Sequence, residues 1–255
     1  MTEFAELIAV RHGESTSNAE FAAAEEAARL PVGIRGPDAD IPLSELGHRQ
    51  AAALGRRLAA LPPERVPELV LCSPYLRARQ TYEVAAAAAG PNAQAWTLRL
   101  DRRLGDRVMG ELQLMTKQQI AERYPEEAAR RSADGEFVYR PPGGESFGDI
   151  ADRLADLLDE VRGAHGGRRA MVVAHDAVVL MLRRIVEGLS WNEIEDIARD
   201  GLAANASVTR WVNVDGRLVL AEYNSTAHLR DLPPVAPSAD PWVTPREPRS
   251  PQPPR

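Results

Sequence analysis

Residues 9–16 read Ala-Val-Arg-His-Gly-Glu-Ser-Thr (AVRHGEST), and the apolar run Leu7-Ile8-Ala9-Val10 leads straight into them. A short apolar run closed by a glycine reads as a buried strand. Arg11 and His12 therefore stand at its carboxyl end. Inside a core an ionised group without partners would be costly to desolvate. At the rim of a sheet the same two side chains can hold something negatively charged.

The pattern returns further along the chain. "AMVVAH" (170–175) is a second apolar run ending in a histidine, His175. "VLCSP" (70–74) ends a third and opens a helical stretch with Arg77 in its first turn. In open parallel sheets, ligands bind beyond the carboxyl ends of the strands, so His12 and His175 converge if their strands are neighbours. A helix start adds unpaired N–H groups and a positive dipole end, and Arg77 adds a guanidinium, a combination suited to phosphate.

Working outward, strands are expected at 5–10, 67–72, 95–100 and 169–174. A hairpin of 207–214 and 217–223 follows, turning at Asp215-Gly216, which readily supplies the positive backbone angles of a tight turn. Helices alternate with them. Ser44 caps one that carries Leu54, Leu58 and Leu61 on one face. Ser73 and Pro74 start another. Ile150, Leu154, Leu157, Leu158 and Val161 stripe a third, which Gly163 ends. Ser190 and Glu193 have the spacing of a capping box. The alternation predicts an α/β domain with a mostly parallel sheet. Two long connections, 16–43 and 101–146, read as lid insertions in a domain of residues 1–230. Residues 231–255 are proline-rich and read as an extended, flexible tail.

Composition narrows the classes. The chain has 255 residues, 44% hydrophobic and 27% charged, with a formal net charge of -6. That balance excludes a general nucleic-acid binder, which would present a basic surface to phosphates. The single cysteine, Cys72, lies in an apolar run and reads as a small buried thiol. No apolar stretch approaches the roughly 18 residues of a membrane span. A cytoplasmic protein with no nucleic-acid or membrane partner is expected, and a homodimer is left open.

Five ordered segments carry a family resemblance: "RHGES" with Asn18 three residues on, "DIPLSELGHRQA" (40–51), "CSPYLRARQT" (72–81), "RPPGGES" (140–146) and "VVAH" (172–175). Together they resemble the histidine phosphatase superfamily, the phosphoglycerate-mutase-like proteins, over residues 5 to about 213. The resemblance implies a three-layer α/β/α sandwich. It implies that His12 attacks phosphorus and becomes phosphohistidine, with Arg11, Arg77, His175 and Asn18 around the phosphoryl oxygens. Ser15 and Arg140 join the expected substrate contacts, and no metal or other cofactor is implied.

Counting four residues back from Gly110 places the family's proton donor at Asp106, where many relatives carry glutamate; Glu111 is the alternative. An aspartic acid needs burial or a dianionic substrate to stay protonated, because its reference pKa is lower. Next to His175 this chain has Asp176 where glycine is common. It is expected to cap the following helix or to keep His175 cationic. Asn205 reads as a pocket-edge or a turn residue. "PPGGES" and "AHDAVV" favour the phosphatase-type branch acting on a small phosphorylated substrate. Lys117 and Arg130-Arg131 keep a cofactor-dependent mutase as the alternative, and a non-catalytic phospholigand-binding module is the third reading.

Overall fold

The computed structural model describes residues 2–233 apart from Ala28, Val32 and Arg35. Strand β1 (Glu6–Arg11) leads to helices α1 (Thr16–Glu26) and α2 (Glu45–Ala59), then to β2 (Leu69–Cys72), α3 (Leu76–Ala89) and β3 (Thr97–Leu100). The chain continues through α4 (Lys117–Arg123), α5 (Pro125–Asp134) and α6 (Phe147–His165) to β4 (Arg169–Ala174). Helices α7 (Asp176–Glu187) and α8 (Trp191–Arg199) precede the hairpin of β5 (Val208–Val214) and β6 (Arg217–Ser225). Among the described residues the connection after α1 carries the short turn Asp38–Asp40, whereas the one after β3 carries α4 and α5. The proline-rich stretch lies outside the described residues from 234 onward. Among the described residues no helix is long and apolar enough to cross a membrane.

All six strands form one sheet in the order β3-β2-β4-β1-β5-β6. The first four in chain order pair in parallel, and β5 and β6 close one edge antiparallel. Every residue of β1 is buried, as expected of a strand covered on both faces. Alternate side chains serve the two faces. Leu7 and Ala9 join Leu154 of α6 and Val178 of α7, while Ile8 and Val10 join Leu54 of α2 and Ala78 of α3. Helices on both faces make this a three-layer α/β/α sandwich. The hairpin turn has Asp215 and Gly216 at φ 51° and 84°, the left-handed pair that a two-residue connection needs.

Parallel pairing in register places the two histidines. Arg11 lies opposite Ala174, so His12 and His175 each follow the same rung of the sheet. The His12 N–H donates to the Ala174 carbonyl oxygen at 2.8 Å. The loop after β1 then passes tightly under the start of α2: a Cβ on Gly13 would sit 2.6 Å from the Gly47 carbonyl oxygen, and one on Gly47 would sit 2.0 Å from that of Glu14.

Three local expectations are corrected. Helix α3 starts at Leu76 with Tyr75 as its cap residue, and not at Ser73-Pro74; the Ser73 hydroxyl lies 2.9 Å from His175 Nε2 and accepts the Tyr75 N–H at 3.3 Å. Gly163 lies inside α6, which runs on to His165. The chain leaves at Gly166, where a Cβ would come within 2.3 Å of the Thr2 carbonyl oxygen. Strand β3 begins two residues later than expected and forms an edge with Leu98 and Leu100 exposed.

Candidate active site

His12 is 2% exposed at the carboxyl edge of the sheet. Its Nδ1 lies 2.7 Å from the Gly13 carbonyl oxygen, and its Nε2 lies 3.2 Å from Nε of Arg77. A carbonyl oxygen only accepts and a guanidinium only donates. The ring therefore carries its proton on Nδ1 and a bare lone pair on Nε2. Gly13 orients the ring through its carbonyl, while its own N–H donates to the Thr81 hydroxyl at 3.0 Å. Burial holds the His12 pKa well below the ordinary histidine value, and the positive fields of Arg77, His175 and Arg11 add to it, against the opposing Gly13 bond.

Arg77 sits in the first turn of α3 and is 3% exposed. Its Nη1 donates to the Asp38 carbonyl oxygen at 2.7 Å and to Asp38 Oδ1 at 3.1 Å. Its Nη2 donates to Asp38 Oδ2 at 3.1 Å and to Asp106 Oδ2 at 2.9 Å. With Nε on His12, all five N–H groups of the guanidinium are engaged. Arg11, also 3% exposed, donates from Nη1 to the Ala203 carbonyl oxygen at 2.7 Å, and its Nη2 pairs with Asp176 Oδ2 at 3.1 Å.

His175 is fully buried. Its Nε2 lies 2.9 Å from the Ser73 hydroxyl, its Nδ1 lies 3.3 Å from Asp106 Oδ2, and its ring centroid is 5.1 Å from that of His12. Burial lowers its pKa, and the facing Asp106 offsets only part of that. Asp176 plays the expected part only in part: His175 takes the cap position of α7, while Asp176 in the first turn accepts the Ala177 N–H on Oδ1 at 2.7 Å and pairs with Arg11 through Oδ2. The carboxylate that faces His175 is Asp106.

Burial favours the protonated form of Asp106, but His175 and Arg77 outweigh it and hold the carboxyl well below its usual pKa. In this arrangement burial does not keep Asp106 protonated; the Arg77 guanidinium and the facing His175 ring keep it ionised. Glu111 is exposed on a short turn, and its backbone N–H bonds the Pro142 carbonyl oxygen. Asp38 is the residue that sequence reasoning missed. It stands in a long connection whose sequence gives no clue to the distant helix it meets. Burial and the nearby Asp106 raise its pKa, with Arg77 opposing.

The remaining candidates divide. Ser15 is 1% exposed, and its hydroxyl accepts the Asn18 N–H at 3.1 Å and donates to Asn18 Oδ1, so it builds the α1 cap rather than offering a substrate contact. Asn18 Oδ1 also accepts from the Ser15 N–H, which leaves its amide NH2 as the end not used by the cap. Asn205 belongs with the site: its Nδ2 donates to the His12 carbonyl oxygen at 3.2 Å and to Asn18 Oδ1 at 3.3 Å. Arg140 points elsewhere, with a 61% exposed side chain paired to Asp149 at 2.5 Å, because that acid lies one turn into α6 beside it. Arg130 pairs with Glu127, and Arg131 with Glu136.

Residues 7–226 match the model of the histidine phosphatase superfamily (branch 1), and the chain belongs to that superfamily. It is similar to the metal-independent phosphoserine phosphatase of Arabidopsis thaliana, 30% identical over 91% of this chain and 86% of that one. It is also 30% identical to a 2,3-bisphosphoglycerate-dependent phosphoglycerate mutase of Gloeobacter violaceus, over 75% of this chain and 80% of the mutase. Among solved structures, a mycobacterial glucosyl-3-phosphoglycerate phosphatase in complex with VO3 superposes with a TM-score of 0.67 at 27% identity, covering 87% of this chain and 99% of that one. The superfamily thus holds both phosphatases and mutases, on the fold described above.

The depressed histidines have a consequence for stability. His12 and His175 bind protons less readily than in the unfolded chain, and burial brings His228 down to about 4. Where the unfolded state binds more protons, stability rises with pH and falls on acidification. The free energy of unfolding, and with it the urea midpoint, is therefore expected to drop as pH falls below about 6.5, by up to about 1.4 kcal/mol per pH unit in free energy for each of the two fully buried histidines. His228→Gln is expected to make that drop shallower. A midpoint that stays level or rises from pH 7 to 5 contradicts this charge assignment.

Proposed function

We propose that the protein is a metal-independent phosphomonoester hydrolase that acts on a small phosphorylated metabolite through a phosphohistidine intermediate. The observation that carries this reading is the bare Nε2 of His12, held by the Gly13 carbonyl on the far side of the ring. A nitrogen lone pair that is buried, neutral and beside two arginines is suited to attack phosphorus.

In the first step Nε2 bonds to phosphorus while the ester P–O bond breaks, and the leaving oxygen takes a proton from Asp106. Arg11, Arg77 and His175, with the amide of Asn18, follow the three non-bridging oxygens, so that catalysis rests on position and field. Asp106 becomes an acid through the substrate. A phosphoryl dianion bound on Arg77 sets negative charge beside Asp106 and offsets the field of the guanidinium, and both effects raise the pKa. In the second step water attacks phosphorus, Asp106 accepts its proton, the N–P bond breaks, and inorganic phosphate leaves.

Two observations favour hydrolysis over the alternatives. The mutase reading assigns Lys117, Arg130 and Arg131 to substrate, whereas two of the three, Arg130 and Arg131, are engaged by the nearby Glu127 and Glu136. The binding-module reading does not need a nucleophile, yet Arg11, His12, Arg77 and His175 are assembled around one.

The test is hydrolysis of para-nitrophenyl phosphate in EDTA. Wild type is expected to turn over and to trap an acid-labile phosphoryl group, and His12→Ala is expected to do neither; equal activity in the two, or none in wild type, refutes the proposal. Asp106→Asn tests the proton donor separately. It is expected to lower kcat by about 10²–10⁴ on an alkyl phosphate, and by much less on para-nitrophenyl phosphate, whose leaving group needs little protonation. The same loss on both substrates would place Asp106 outside proton transfer.

A further inference from the structure

We propose that Asp38 is a specificity-determining residue of this site: its carboxylate holds the terminal nitrogens of Arg77, the position a phosphoryl group takes, so that a substrate binds by displacing it. The inference rests on the reading that Arg77 receives the phosphoryl group.

The geometry is that of one forked acceptor standing for another. Oδ1 lies 3.1 Å from Nη1 and Oδ2 lies 3.1 Å from Nη2, the two parallel bonds by which a guanidinium also grips a phosphate. Because all five N–H groups of Arg77 are engaged, a phosphoryl oxygen reaches this residue only by taking over a bond already made. The three side chains that hold those bonds are not equally replaceable. His12 engages Nε alone, and its lone pair leaves that bond to attack phosphorus, so it is not the acceptor a forked oxyanion replaces on the terminal nitrogens. Asp106 must remain beside the leaving oxygen. The described side-chain hydrogen bonds of Asp38 all go to Arg77, and Asp38 sits in the short turn Asp38–Asp40 between α1 and α2, outside the sheet and the long helices.

Charge points the same way. Arg11 is matched by Asp176, whereas Arg77 faces both Asp38 and Asp106. A phosphoryl dianion arriving before Asp106 has taken up its proton would put three anionic groups on one guanidinium, and like charges at such distances repel strongly in a buried site. Exchange of Asp38 for the phosphoryl group keeps the balance. Burial, which already disfavours the ionised form of Asp38, acts in the same sense. The consequence is selectivity: an anion with two strong acceptors displaces the carboxylate, and a weaker one does not.

The test is calorimetric titration of the full chain with inorganic phosphate for wild type, Asp38→Asn and Asp38→Ala, with hydrolysis of para-nitrophenyl phosphate measured on the same preparations. Both variants are expected to bind phosphate about tenfold more tightly or better, equivalent to about 1.4 kcal/mol, and to show a lower KM. Unchanged or weaker phosphate binding in the variants, or none in any of the three proteins, overturns the inference and leaves Asp38 as a support for Arg77. Thermal unfolding checks that each variant is folded; should Asp38→Ala not fold, the near-isosteric Asp38→Asn decides. Failure of wild type to hydrolyse the ester refutes the hydrolase reading without altering the binding comparison.

Discussion

The parallel pairing of β1 with β4 puts two residues that are 163 positions apart in the sequence on the same rung, one past the end of each strand. Everything chemical in the molecule depends on that register. A slip of one residue would turn each side chain to the opposite face. It would also break the bond from the His12 N–H to the Ala174 carbonyl oxygen. The strands can hold this register because they are buried on both sides, with Leu7 and Ala9 fixed by one helical layer and Ile8 and Val10 by the other. The core and the site are thus one construction: apolar side chains set the alignment, and the first polar residues beyond it inherit the geometry.

Around that rung the protein balances charge closely. Two buried arginines meet three carboxylates: Asp176 on Arg11, and Asp38 with Asp106 on Arg77. Buried charges without partners would be expensive, so this matching allows both arginines to be 3% exposed. The same matching makes the site responsive. In the proposed reaction an incoming anion competes for donors that are already in use and raises the proton affinity of the carboxylates beside Arg77, so that binding and acid catalysis would be coupled through that residue.

Much of this arrangement is legible in the amino-acid sequence. Strand ends that carry Arg11-His12 and His175, with Arg77 at the start of a helix, are local signals, and the layered α/β fold follows from the alternation of short apolar runs with helical periodicity. Relations between distant segments are not legible in the same way. Ser73 reads as a cap because Ser-Pro opens many helices, but its hydroxyl is claimed by His175 from another strand. Asp176 reads as a cap and does accept the Ala177 N–H, but its ion pair with Arg11, across the β1–β4 rung, carries no local signal. Ser15 reads as a substrate contact, yet the local demand of the α1 terminus takes its hydroxyl. Asp38 carries no local signal at all, since its partner is 39 residues away on another helix. Hydrogen-bond competition of this kind is decided by tertiary neighbours, which a periodic pattern does not encode.

The proposed chemistry turns on a neutral His12, with its proton on Nδ1 and a lone pair on Nε2. Nitrogen-15 NMR of the histidine side chains reads this directly, since a protonated and a bare ring nitrogen have well-separated shifts. The expected spectrum shows one bare nitrogen, Nε2, and a protonated Nδ1 for His12, unchanged from pH 8 down to below about 6.5, the reference histidine value. A His12 ring protonated on both nitrogens at neutral pH, or carrying its proton on Nε2, would contradict it.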